Sequence, residues 1–131
     1  MMHIKAIEII ARSLRDSVKG DPEGRAQMAL GQYIAGMGFS NVGLGIVHSM
    51  AHPLSAVYDI PHGVACAILL TPVLKFNAPS TADKYRDIAV AMGVKNTEDM
   101  SIEQARQACI EAVEKLSVDV GNSSENLTSI R

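Results

Sequence analysis

Between residues 26 and 74 the chain carries one formal charge, Asp59, and into that stretch it sets three of its four histidines, His48, His52 and His62. A run so poor in charge is built for burial, against other helices or in a bilayer. Imidazoles placed in it need partners, because burying an unsatisfied polar group costs about 2–7 kcal/mol. A bound metal ion or a proton-transfer role would supply one.

The run exceeds the ~18 apolar residues of a membrane-spanning candidate. Against insertion, it holds Gln27, Gln32, Asn41, His48 and His52, together with Gly31, Gly36, Gly38, Gly43, Gly45, Pro53 and Pro61. The chain has no Trp to mark an interface, and Lys and Arg do not cluster beside the run. The expectation is a buried helix pair in a protein with no membrane partner. A chain of 131 residues, 47% hydrophobic and 20% charged, fits one domain with a real core. A net charge of −2 gives no reason to expect nucleic acid. Cys66 and Cys109 have no CxxC spacing and fall in apolar helical patterns, so both are expected reduced and buried, as in a cytoplasmic protein. The Met1-Met2-His3-Ile4-Lys5 start, with Glu8 and Asp16 close behind, reads as a helix and not a signal peptide.

The pattern is helical throughout. Ile4, Ile7, Ile10, Ala11, Leu14 and Val18 recur at helical spacing over 3–19, and Gly20 ends that segment. Asp21-Pro22 is a helix cap followed by proline at the first helical position. A second helix is expected over 23–37, with residues 36–41 offering a break before a third at 42–51, whose end Pro53 weakens. Helices at 62–76, bent at Pro72, at 82–92 and at 101–120 follow; Ser101-Ile102-Glu103-Gln104 is a capping box opening the last. No strand pattern of convincing length occurs, so the fold class is all-α, with a helical domain at 1–121 and a polar tail at 122–131.

His48 and His52 are four residues apart, so on a helix both rings leave one face. The spacing is that of a zinc-protease helix, but Ser49 stands where that chemistry needs a glutamate. His62 follows a proline-bearing turn that can fold it back toward the same face. Three neutral imidazoles suit Fe, Zn, Cu or Ni alike.

Gly45, His48, Ala51, His52, Leu54, Ser55, Ala56, Ile60, His62, Gly63 and Ala65 together resemble the second signature of the iron-containing (group III) alcohol dehydrogenases. Residues 3–8, 28–33, 35–41 and 77–89 also look like that family's lactaldehyde reductase (propanediol oxidoreductase) branch, and the likeness fades after Val120. The resemblance implies the helical metal-binding domain of the dehydroquinate synthase-like, iron alcohol dehydrogenase fold, cut at both ends. It makes His48 and His62 metal ligands and places His52 beside the metal, relaying a proton or contacting the nicotinamide. Phe39 matches an aromatic wall of the substrate and nicotinamide pocket, and His3 has no role. By the same likeness the metal is Fe2+, with Zn2+ as the alternative, the cofactor of the intact enzyme is NAD(P), and the substrates are small aldehydes and diols, lactaldehyde and 1,2-propanediol foremost.

The family's other two ligands, an aspartate and a histidine, and its glycine-rich pyrophosphate loop belong to sequence that precedes this stretch. The expectation for the chain alone is therefore weak metal binding and no dehydrogenase activity. The uncharged run, stripped of its covering helices, is expected to drive a homo-oligomer. The rival reading is a non-catalytic helical module that self-associates with its histidines idle.

Overall fold

Gly20 sits at φ +93°, a conformation that favours glycine, and the first helix stops just before it. In the computed structural model, which describes residues 2–121, that helix is α1 (Met2–Val18) and the next is α2 (Pro22–Val42). The Gly24 N–H donates to Asp21 Oδ2 at 2.6 Å and Pro22 takes the first helical position, as the Asp-Pro pair predicts.

The break expected at 36–41 is absent, and α2 runs unbroken to Val42. Three of its four glycines serve packing instead. Its buried residues are Gly24, Gly31 and Gly38, a heptad apart and so on one face, the face turned to α1. A Cβ at Gly31 would stand 2.9 Å from Ile10 Cγ1, and one at Gly24 only 2.7 Å from the Ser17 backbone nitrogen. Each interior glycine costs the helix up to ~1 kcal/mol. The close approach of α1 along the whole seam offsets that. Ser40 and Asn41, expected as breakers, donate to the Gly36 and Met37 carbonyls at 2.7 and 2.6 Å.

The third helix also departs from expectation. α3 (Ile46–Tyr58) starts later and continues through Pro53, although proline removes one backbone hydrogen bond. Packing overrides that local preference, because Ala51 and Leu54 on either side of Pro53 both join a core cluster. α4 (His62–Asn77) likewise contains Pro72, and a 3₁₀ turn at Ala78–Ser80 follows it. α5 (Lys84–Ala91) is followed by Gly93 at φ +89° and a second 3₁₀ turn at Thr97–Asp99. α6 (Ile102–Asp119) opens with the expected capping box: the Ser101 N–H donates to Gln104 Oε1 at 2.8 Å, and the Gln104 N–H to Ser101 Oγ at 3.2 Å. The described residues contain no strand, and the fold is all-α. The polar tail at 122–131 lies outside the described residues.

Three hairpins result, α1–α2, α3–α4 and α5–α6, and α6 joins them by touching α1 and α4 as well as α5. Tyr85, Ala89, Cys109 and Ile110 form its core contact, with Leu74 of α4 packed alongside. Arg15 of α1 reaches Asp119 at 2.7 Å, and Lys75 of α4 reaches Glu114 at 2.6 Å. The α3–α4 hairpin is covered on one side only. By length and composition alone His62–Ser80 could cross a membrane, with mean hydropathy 1.2, and 11% of that window is buried. Val57 is 72% exposed and Tyr58 70%, so the charge-poor run is open where it was expected to be enclosed.

Candidate metal centre

α3 and α4 are joined by the turn at 59–61, where Asp59 takes φ +55° and Pro61 precedes the first turn of α4. The helices meet through Ala51 and Ala65, both 0% exposed. Side chains this small let backbones approach closely, so residues flanking the contact on each helix meet across it. His48 and His52 flank Ala51 at −3 and +1, and His62 and Cys66 flank Ala65 in the same register. The crossing therefore gathers four metal-competent side chains, two from each helix.

Their geometry is close. The His48 and His62 ring centroids are 5.5 Å apart, and those of His52 and His62 are 5.1 Å apart and stacked. His48 and His52, on the same helix, are the widest pair at 6.2 Å. Cys66 Sγ lies 3.5 Å from His62 Nε2, and the donor atoms of His48, His62 and Cys66 all fall within 4.8 Å of one another. Among the described residues this is the group of three or more His, Cys, Asp or Glu side chains able to share one ion. Imidazole nitrogens with a thiol sulfur suit borderline divalent metals.

The structure thus brings His48 and His62 within reach of a shared ion and leaves His52 stacked on the His62 ring beside it. Full burial of these rings was expected; instead His48 and Cys66 are half-buried and His52 and His62 exposed, because nothing in the described chain covers that side of the hairpin. Phe39, near the end of α2, lines a cleft of about 470 Å³ with Leu44, Val47, His48, Cys66 and Leu70, so an aromatic ring faces the same opening as the half-buried donors. His3 is exposed at the start of α1 with its ring against Gly38, away from this cluster.

Sequence reasoning missed Cys66, treating it as a plain buried thiol. The signal was present: it stands one helical turn after His62, the spacing that made His48 and His52 noticeable. The other cysteine does match the bland expectation. Cys109 is 0% exposed in the α5–α6 core, and burial pushes its thiol up to about 11. Both cysteines are free. On α3, Ser55 has a buried hydroxyl without a hydrogen-bond partner among the described residues.

Residues 1–129 match the Fe-containing alcohol dehydrogenase family, C-terminal. The chain is 65% identical over 120 residues to lactaldehyde reductase of Escherichia coli (strain K12), an alignment covering 92% of the chain and 31% of that protein. A crystal structure of 1,3-propanediol oxidoreductase superposes with a TM-score of 0.87 at 43% identity, covering 92% of this chain and 32% of that one. The alcohol dehydrogenase from Oenococcus oeni gives a TM-score of 0.88 at 37% identity, over 98% of this chain and 34% of that one. The chain spans about a third of the length of the curated relatives it matches.

Proposed function

Since the chain belongs to the iron-containing alcohol dehydrogenase family, we propose that it forms the metal-holding helical part of a cytoplasmic oxidoreductase that interconverts small aldehydes and alcohols, lactaldehyde and 1,2-propanediol foremost. The observation that carries this reading is the meeting of His48, His52 and His62 across the Ala51–Ala65 contact, with centroids 5.1–6.2 Å apart. In the reaction, aldehyde, NAD(P)H and a proton give alcohol and NAD(P)+.

His48 and His62 are the residues to hold a divalent ion, Fe2+ with Zn2+ as the alternative, through their ring nitrogens. When bound, such an ion supplies Lewis acidity toward a carbonyl oxygen. His52, exposed to solvent and stacked on His62, is placed to carry a proton between water and the substrate oxygen at a ring nitrogen. Phe39 gives the cleft an apolar wall, which would keep water from a reacting carbon and offer the nicotinamide an aromatic face. The described residues have no strand and so no strand–loop–helix cradle for the pyrophosphate of the dinucleotide. Hydride transfer therefore needs a nucleotide-binding part besides these helices. The open faces of α3 and α4 support covering by protein, that part or a second copy of the chain, in preference to lipid: Lys75, inside the apolar window, is tied to Glu114 of α6.

A chimera tests the proposal. This chain replaces its 65%-identical segment in the Escherichia coli lactaldehyde reductase. The expected result is NADH-linked reduction of lactaldehyde, lost on His62→Ala and on His48→Ala together with the bound metal, and slowed with metal retained on His52→Ala. A folded, metal-loaded chimera without activity, or one indifferent to His62→Ala, would refute it.

A further inference from the structure

Three candidates stand out beyond the proposed reading: the open apolar face of α3–α4, the buried hydroxyl of Ser55, and Cys66. Only Cys66 comes with geometry that names its ligand. We infer that Cys66 is a third donor, so that His48, His62 and Cys66 form a thiolate-containing site binding a thiophilic divalent ion such as Zn2+ in this chain by itself. The inference rests on the reading of His48 and His62 as metal-facing residues and adds to it a donor and a metal preference.

The distances carry it. A tetrahedral ion with metal–nitrogen bonds of about 2.0–2.1 Å and a metal–sulfur bond of about 2.3 Å sets its nitrogen and sulfur ligands about 3.5 Å apart. Cys66 Sγ and His62 Nε2 are 3.5 Å apart. One turn of α4 thus supplies two corners at ligand spacing, with the helix fixed between them by the fully buried Ala65. The third corner, His48, comes from α3, all donors lying within 4.8 Å. Two nitrogen ligands sit about 3.3–3.4 Å apart on such an ion. The His48 donor therefore has to draw in from the present separation of up to 4.8 Å.

The donor set also sets the preference. Two imidazoles favour no particular late first-row metal, but a thiolate favours Zn2+ and Co2+ over harder ions. Three protein ligands and one open position are the usual complement of a catalytic zinc site, which lifts the chain above the weak binding expected of two imidazoles. On coordination the Cys66 thiol gives its proton to solvent and the sulfur binds as thiolate. Cys109 cannot substitute, since it is enclosed in the α5–α6 core.

The test is anaerobic titration of the purified 131-residue chain with Co2+. The expected result is one ion per chain, with tetrahedral d–d bands and a sulfur-to-cobalt charge-transfer band in the near ultraviolet. Cys66→Ser should abolish the charge-transfer band and weaken Zn2+ binding, measured by competition with Co2+, at least ~10-fold. Tetrahedral bands without the charge-transfer band would overturn the role of Cys66 while leaving the imidazole pair standing. No cobalt uptake would overturn the inference and count against His48 and His62 as well. Should Cys66→Ser misfold, the wild-type chain decides: Zn2+ should slow alkylation of Cys66 at least ~10-fold, read by peptide mass spectrometry, and an unchanged rate overturns the inference.

Discussion

Gly24→Ala puts the glycine seam between α1 and α2 to a quantitative test. The new Cβ would stand 2.7 Å from the Ser17 backbone nitrogen and 3.0 Å from the Asp16 carbonyl carbon. These are backbone atoms of the α1 terminus, so no rotamer relieves the contact. Reaching even 3.4 Å, the edge of ordinary contact, means parting the two helices there by about 0.7 Å. Overpacking of this kind costs about 1–3 kcal/mol. The shift also strains the 2.6 Å bond from the Gly24 N–H to Asp21 Oδ2, a cap worth about 1 kcal/mol. The gain in helix propensity from glycine to alanine, up to ~1 kcal/mol, opposes both. The net expectation is a loss of about 1–3 kcal/mol, and a fall in Tm of about 3–5 °C for each kcal/mol. Gly36→Ala, in the same helix but with nothing within 4 Å of its new Cβ, keeps only the propensity gain and should raise stability by about 0.5–1 kcal/mol. Gly38→Ala meets first the ring of exposed His3, which can swing aside, and should fall near zero. The assay is thermal and urea unfolding followed by far-ultraviolet circular dichroism, at one protein concentration in case of association. Gly24→Ala and Gly36→Ala shifting stability in the same direction would refute the packing account.

Three further outcomes are expected. The purified chain alone should show no NADH-linked reduction of lactaldehyde, because its described residues offer no dinucleotide cradle; activity abolished by His62→Ala would prove this wrong. The chain should self-associate through the exposed side of α3–α4, where Val57 is 72% and Phe76 75% exposed, and sedimentation showing a stable monomer at micromolar concentration would contradict that. The Arg15 hydrogen bond holds the Asp119 carboxyl below the ordinary carboxylate range, so the pair contributes stability above the unfolded-state value of about 3.9 and loses it as pH falls through the lower folded value. Arg15→Met should therefore unfold at lower urea than wild type near neutral pH, with the difference closing in acid below about pH 4; a gap that persists in strong acid would mean packing, not charge, is what the substitution removes.

The helical class was legible residue by residue. Periodic apolar positions, Gly20 and Gly93 as stops, the Asp21-Pro22 start and the Ser101–Gln104 box are local signals, and local backbone geometry obeyed them. So was the histidine pattern, since the matching signature spans one continuous stretch. What sequence misjudged were places where a distant partner outweighs local preference. Gly38 read as a breaker, yet α2 continues through it because α1 lies against the Gly24–Gly31–Gly38 face; Gly36, with nothing within 4 Å of a Cβ built on it, is carried along in the same helix. Pro53 read as a terminator, yet α3 continues because Ala51 and Leu54 pack onto α4. Cys66 read as inert filling until the Ala51–Ala65 contact set His48 across from it and α4 set His62 3.5 Å away. Residue types and their spacing fixed which side chains share a helix face. The distance between faces depends on how closely two helices approach, and the size of the residues at their crossing decides that only after both helices exist.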